Sequence, residues 1–283
     1  MRRLSLRGQI ASQLILALVA LFVLIPIWTL AYLAFDGGVS GWPTEFRIWP
    51  EQFTLGVFRQ VWQRAVEGFG YPDMLRNSLF VSGGAAVLAV GCGASMAYAF
   101  ARLRFPGKRV GLFALLLGAL LPPVALMTPL YILLTALHLR TTLLGLTLVY
   151  TSFSLPFCIW NMRAAFQAVP KDLEESAFMD GADHLTAFWR VTLPLAIPSI
   201  AIAGLIAFLI GYSEFAMGWL FVSKNADVTL AMAISGMLSD GFASWSNMAA
   251  LAMLMSVPVV LICLVLHRYL LSGLLGGLAD SEG

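Results

Sequence analysis

The chain has 283 residues, 60% of them hydrophobic and only 11% charged, with a net charge of +2 and a positive mean hydropathy. That much apolar surface exceeds what one water-soluble core can hide, which excludes a soluble binding module and leaves a membrane protein. The small positive balance has no basic patch behind it, so nucleic acid is not an expected partner.

A helix needs about 20 mainly apolar residues to cross roughly 30 Å of hydrocarbon while satisfying its own backbone. Six segments qualify: Ile10–Phe35, Asn77–Ala101, Val110–Leu137, Thr141–Met162, Leu195–Val222 and Ser246–Leu271. The prediction is an all-α membrane protein with six transmembrane helices over residues 10–271, an N-terminus of residues 1–9 and a tail of residues 272–283. With the N-terminus inside, eleven of the seventeen Lys and Arg fall on the inner side, Arg102, Lys108, Arg163 and Lys171 among them, and six on the outer. That excess predicts a multi-pass chain with both termini cytoplasmic. The first apolar run, about 26 residues, has no clear small-residue cleavage site and reads as a retained span. Cys92, Cys158 and Cys263 all fall inside predicted spans, where packing is the expected role.

In chain order, the external loop of residues 36–76 carries Trp42, Trp49, Trp62, Phe69 and Tyr71, punctuated by Pro43, Pro50 and Pro72. This suits an aromatic belt with short interfacial helices, or a docking surface for an external partner. The second span has Ala85, Ala89, Gly93 and Ala97 at four-residue spacing, a small-residue stripe that lets a neighbouring helix approach inside the bundle. Pro122, Pro123 and Pro129 interrupt the third span and predict a kink, either shaping the helix or lining a path.

The loop of residues 163–194 is the polar exception. Asp172, Glu174, Glu175, Asp180 and Asp183 fall within twelve positions, so the segment is expected to be solvated and built for contact. Asp172 followed by Glu175 resembles a capping box and predicts a helix from Leu173 to about Asp180, ended by Gly181. A second short helix is expected from His184 to about Val191, and Pro194 and Pro198 suit the first turn of the next span. Leu173, Ala177 and Phe178 give an apolar stripe flanked by acids, a form suited to a groove on another protein. The plainer alternative is a solvated connection.

Glu175-Ser176-Ala177, then Gly181, Val191 and Leu193-Pro194 resemble the E-A-A…G…I-x-L-P signature of the inner-membrane permease subunits of bacterial ABC importers, with Ser176 and Val191 departing from the commonest letters. The resemblance extends to residues 75–78, to residues 97–108, to Pro129-Leu130-Tyr131, Pro170-Lys171-Asp172-Leu173 and Tyr212-Ser213-Glu214-Phe215, and to Arg268-Tyr269 with Gly273-Leu274. It covers roughly residues 50–275 and is similar to the maltose-type partner subunit of the carbohydrate branch.

The resemblance implies a pseudo-twofold heterodimer with a second permease subunit, two ATPase subunits carrying ATP and Mg, and an extracytoplasmic solute-binding protein, all at the bacterial inner membrane and its lipid. It implies that Asp172, Leu173, Glu174, Glu175, Ser176, Ala177, Phe178, Asp180, Gly181 and Ala182 are the ATPase-coupling residues. The chain has no G-x-x-x-x-G-K-[ST] phosphate loop, since Gly107-Lys108 lacks the upstream glycine and is followed by Arg109, so no cofactor and no catalysis are expected of it. His138, His184 and His267 lack partners at ligand spacing, and no metal site is expected.

Glu214 is the one acid within a predicted span, where an unpaired carboxylate costs on the order of 2.5–3.5 kcal/mol. It is expected to hold a polar contact that stabilises one transport state, or to bind sugar hydroxyls, or to sit near the outer end in reach of water. Tyr212 and Ser213 accompany it. The solute implied is a disaccharide or oligosaccharide, with a polyol or glycerol phosphodiester as the alternative. A stand-alone secondary carrier is the competing class, but it would leave the acidic loop without a use. The glycine-rich tail from Gly273, with Asp280 and Glu282, reads as a frayed end, or, from the resemblance, as a contact with the ATPases.

Overall fold

Helix accounts for the regular structure of the computed structural model, which describes residues 6–39, 43, 47–63, 69–223, 225–239 and 244–279. In order these are α1 (Leu6–Phe35), α2 (Gly56–Gln63), α3 (Tyr71–Arg102), α4 (Lys108–Leu120), α5 (Pro123–Ala136), α6 (Leu143–Ala168), α7 (Lys171–Met179) and α8 (His184–Ala187). A π turn (Phe188–Thr192) leads into α9 (Leu193–Leu195), α10 (Ile197–Ser213) and α11 (Ala216–Phe221), and a 3-10 turn (Asn225–Asp227) precedes α12 (Leu230–Ser239) and α13 (Trp245–Ala279). Among the described residues no strand forms; Asp36 and Phe53 make an isolated bridge. Among the described residues four helices, α1, α3, α6 and α13, are long and apolar enough to cross a membrane. Two bent pairs bring the total to six if each pair is one span, as the six apolar segments predict.

The bent pairs correct the expected continuity. Helices α4 and α5 are bent by 100°, a break rather than a kink. Leu121 and Pro122 each precede a proline, which disfavours the helical region, and both are extended with ψ of 129°. Pro129, alone, stays inside α5. The predicted fifth span, Leu195–Val222, is also interrupted: α10 starts at Ile197 with Pro198 in its first turn and stops at Ser213, Glu214 is extended, and α11 follows. The last helix runs on through Gly273 to Ala279, into the stretch expected as a frayed tail. Asp280 and Glu282, like Arg2, Arg3, Trp42, Arg64 and Lys224, lie outside the described residues.

The chain divides into two compact units. In the first, Met1–Tyr71 with Ile234–Ser256, the α1 side chains from Leu14 to Ile27 are exposed, apolar on all sides, as suits lipid. The loop after α1 is organised by Asp36, whose carboxylate accepts from the backbone N–H groups of Gly38 (3.0 Å), Glu51 (2.8 Å) and Gln52 (3.2 Å). Ser246 donates to the Asp36 carbonyl. Burial opposes ionisation of Asp36, but these three donors and the nearby Arg47 outweigh it and hold the carboxyl below its ordinary value. Phe35 stacks on Phe53 at 5.4 Å, and α2 supplies the short helix expected of this loop.

The second unit, Pro72–Ala233 with Val257–Gly283, is built on α3, α6 and α10. Ala85, Ala89 and Ala97 are fully buried, as the stripe requires. A Cβ on Gly93 would stand 2.9 Å from Met162 Cε and 3.3 Å from Cys158 Cβ, so α3 lies close to α6 here and a side chain fits only if the Met162 end shifts. Cys158 is buried in that contact, while Cys92 is exposed.

Candidate functional site

The loop between the fourth and fifth spans folds as a helical hairpin. Its first helix, α7, is preceded by Pro170 at the N-cap with no side-chain cap, so Asp172 is not the capping residue that its spacing with Glu175 suggested. Pro170 already supplies the extended entry, and the helix starts at Lys171, ahead of the expected Leu173. The exit is as predicted: Gly181 has φ of +88°, Gly181 N–H donates to the Phe178 carbonyl (3.0 Å) and Ala182 N–H to that of Ala177 (2.9 Å). These two bonds are a Schellman closure, which needs a residue at ease in the left-handed region.

Asp183 caps the second helix by accepting from Thr186 N–H at 2.8 Å. Its hydrogen bonds from the Thr186 hydroxyl and N–H lower the Asp183 pKa. Helix α8 ends at Ala187, short of the expected Val191. Pro194 has no N–H to offer the preceding turn, and the ladder widens there into the π turn.

The hairpin has two faces. Inward, Glu174 is buried and accepts from Arg102 Nε at 3.0 Å and from the Thr192 hydroxyl, while the Arg102 guanidinium also donates to the Val169 carbonyl at 2.6 Å. The Arg102 and Glu174 side chains are each 6% exposed. Phe188 packs 4.9 Å from Tyr98 and 6.0 Å from Phe166, joining the π turn to α3 and α6. Outward, Met179 (88% exposed), Leu185 (64%), Trp189 (59%) and Leu173 (45%) present apolar surface beside exposed Asp172, Glu175, Ser176 and Asp180.

This corrects two expectations. Glu174 does not stand with the solvated acids, and the inward stripe is buried Glu174 with half-buried Ala177 and Phe178, Leu173 being turned out. The helical period explains it: Ala177 and Phe178 lie three and four residues beyond Glu174, so whatever they face, it faces. The sequence counted Arg102 only as an inner positive charge; its position at the end of an apolar span, level with an acidic loop, was the available signal.

Glu214 caps the break after α10. Its carboxylate accepts from Ala216 N–H at 3.0 Å, from Met217 N–H at 3.2 Å, and from the buried Tyr150 hydroxyl at 2.8 Å. These contacts offset the cost of placing the acid in an apolar segment. Tyr212 is buried and stacked on Phe208 at 5.1 Å, and the exposed Ser213 hydroxyl donates to the Leu209 carbonyl at 2.7 Å. The three neighbours therefore do not converge on one point. Tyr150, missed by the sequence reading, is the partner that Glu214 uses.

Residues 89–275 match a family model described as binding-protein-dependent transport system inner membrane component. The chain is 34% identical over 230 residues to the trehalose transport system permease protein SugB of Mycobacterium tuberculosis, covering 81% of this chain and 82% of that one. It is 28% identical over 262 residues to the inner membrane ABC transporter permease protein YcjP of Escherichia coli, covering 93% of each. The fold is similar, with a TM-score of 0.77 and 20% identity, to a chain in the crystal structure of a bacterial ABC transporter involved in the import of the acidic polysaccharide alginate, covering 95% of this chain and all of that one.

Proposed function

The chain belongs to the binding-protein-dependent transport system inner membrane component family, and from that premise we propose that it forms half of the translocation path of an ATP-driven sugar importer and couples ATPase closure to alternating access. The observation that carries the coupling role is the two-faced hairpin: an ion pair and an aromatic cluster fix its inner side to the spans, and its outer side is apolar and acidic. An element of this kind seats in a groove on a partner and moves as one body with the helices behind it. Met179, Leu185 and Trp189 are the anchors, rimmed by Asp172, Glu175 and Asp180. The partners are a sister permease, two ATPase subunits that bind ATP and Mg, and an external solute-binding protein; this chain binds neither ATP nor Mg itself. The hairpin and both termini face the cytoplasm in this reading.

A disaccharide or oligosaccharide is the proposed solute, in line with the similarity to a trehalose permease. Glu214, held by Tyr150 and two backbone donors, stabilises one transport state rather than holding sugar.

Gly181→Val in the assembled importer tests the coupling role. With nothing within 4 Å of a Cβ there, the substitution acts only through the left-handed backbone, at about 1–2 kcal/mol or more for a β-branched residue. The expected result is insertion of the spans with loss of ATPase subunits on purification. Retained subunits with normal solute-stimulated ATPase activity would refute the docking role.

A further inference from the structure

The buried contacts behind the hairpin include one group that this arrangement leaves unused. Tyr98 is 6% exposed, and its hydroxyl has no hydrogen-bond partner. It lies one helical turn before Arg102 on α3, on the same face, and within electrostatic reach of both Arg102 and Glu174. A buried hydroxyl without a partner is a cost that folded proteins seldom retain, and here it is a donor without an acceptor. Glu174 meanwhile takes the Thr192 hydroxyl from the far end of the π turn. One hydroxyl is thus engaged by this carboxylate, while a second, unpartnered one stands on another element, a helical turn from the carboxylate's Arg102 partner.

We propose that Tyr98 and Thr192 are alternative donors to Glu174, one for each position of the hairpin, with Arg102 as the fixed pivot between them. In the arrangement seen here Glu174 is held by Thr192. A rotation of α7 against α3 exchanges that bond for one from Tyr98 while the Arg102 ion pair persists, so movement of the hairpin passes into the second span. All four side chains are positioning residues. The inference rests on the hairpin being the ATPase-coupling element.

The test compares Tyr98→Phe and Thr192→Val in the purified importer complex, reading the solute-free ATPase rate and the thermal stability. Tyr98→Phe removes a donor used only in the other position, so the complex seen here is as heat-stable as before or more so, yet cycling is impaired. Thr192→Val removes the donor used here. The two variants therefore shift the solute-free ATPase rate in opposite directions, each by about tenfold, the effect of losing one hydrogen bond to a charged group from one of two states. Equal rates in both variants and the parent, or shifts of the same sign, would overturn the exchange. So would loss of the ATPase subunits from Tyr98→Phe, because Tyr98 would then serve assembly. Failure of the docking role appears separately, as subunits that stay bound with normal solute-stimulated ATPase activity in Gly181→Val.

Discussion

Replacing Arg102 with Met removes one partner of an ion pair in which each side chain is only 6% exposed. An exposed pair would be worth about 0–1 kcal/mol. Here the substitution strands Glu174 in a buried site with the Thr192 hydroxyl alone and takes the donor from the Val169 carbonyl. Breaking a buried pair from one side costs about 3–5 kcal/mol, and that loss is the expected result. The double variant Arg102→Met with Glu174→Leu no longer buries a charge and should recover half or more of it, leaving about 1 kcal/mol for the Val169 carbonyl. Reversible unfolding in mixed detergent micelles, measured for the two single variants and the double, gives the coupling energy. A loss below about 1 kcal/mol for Arg102→Met, or a double variant no more stable than the single, would refute the burial argument.

Gly93→Leu should cost about 1–3 kcal/mol in the same assay, because its atoms beyond Cβ must displace Met162, Cys158 and Ile159, whereas Gly93→Ala should be nearly neutral as the flexible methionine end gives way. Tyr150→Phe should lose about 1.5–3 kcal/mol with the bond to Glu214; an unchanged midpoint would remove that bond from the account. Asp36 has a lowered carboxyl pKa, so its contribution is present above the ordinary value of 3.8 and is lost as pH falls through the lower folded value. Asp36→Asn should therefore be less stable than the parent at pH 7, with the gap closing below about pH 4; a gap that stays constant down to pH 2 would contradict this.

The spans were legible because lipid makes the apolar run itself the signal, and the stripe of Ala85, Ala89, Gly93 and Ala97 pointed to a close helix contact, though not to α6 as its partner. Gly181 was legible for a similar reason: a local backbone requirement selects one residue type. The break at Leu121–Pro122 was half legible, since paired prolines foretell interruption but not the 100° bend. Glu174 was misread because composition groups it with its acidic neighbours, and only the position of Arg102, 72 residues away, reveals which acid turns in. At the Glu214 break the one local signal was the acid itself, which foretold a polar contact but not an interruption. The residues flanking Ser213 and Glu214 are mostly apolar and free of proline, and the interruption is stabilised by Tyr150 from another helix.

Cross-linking from the outer face of the hairpin tests the central claim most directly. Met179→Cys, in an importer lacking the three native cysteines, should form a cross-link to an ATPase subunit that changes in yield when ATP is bound, since Met179 is exposed on the face proposed to dock. A cross-link to the external binding protein, or none to an ATPase subunit in a complex that still hydrolyses ATP in response to solute, would contradict it.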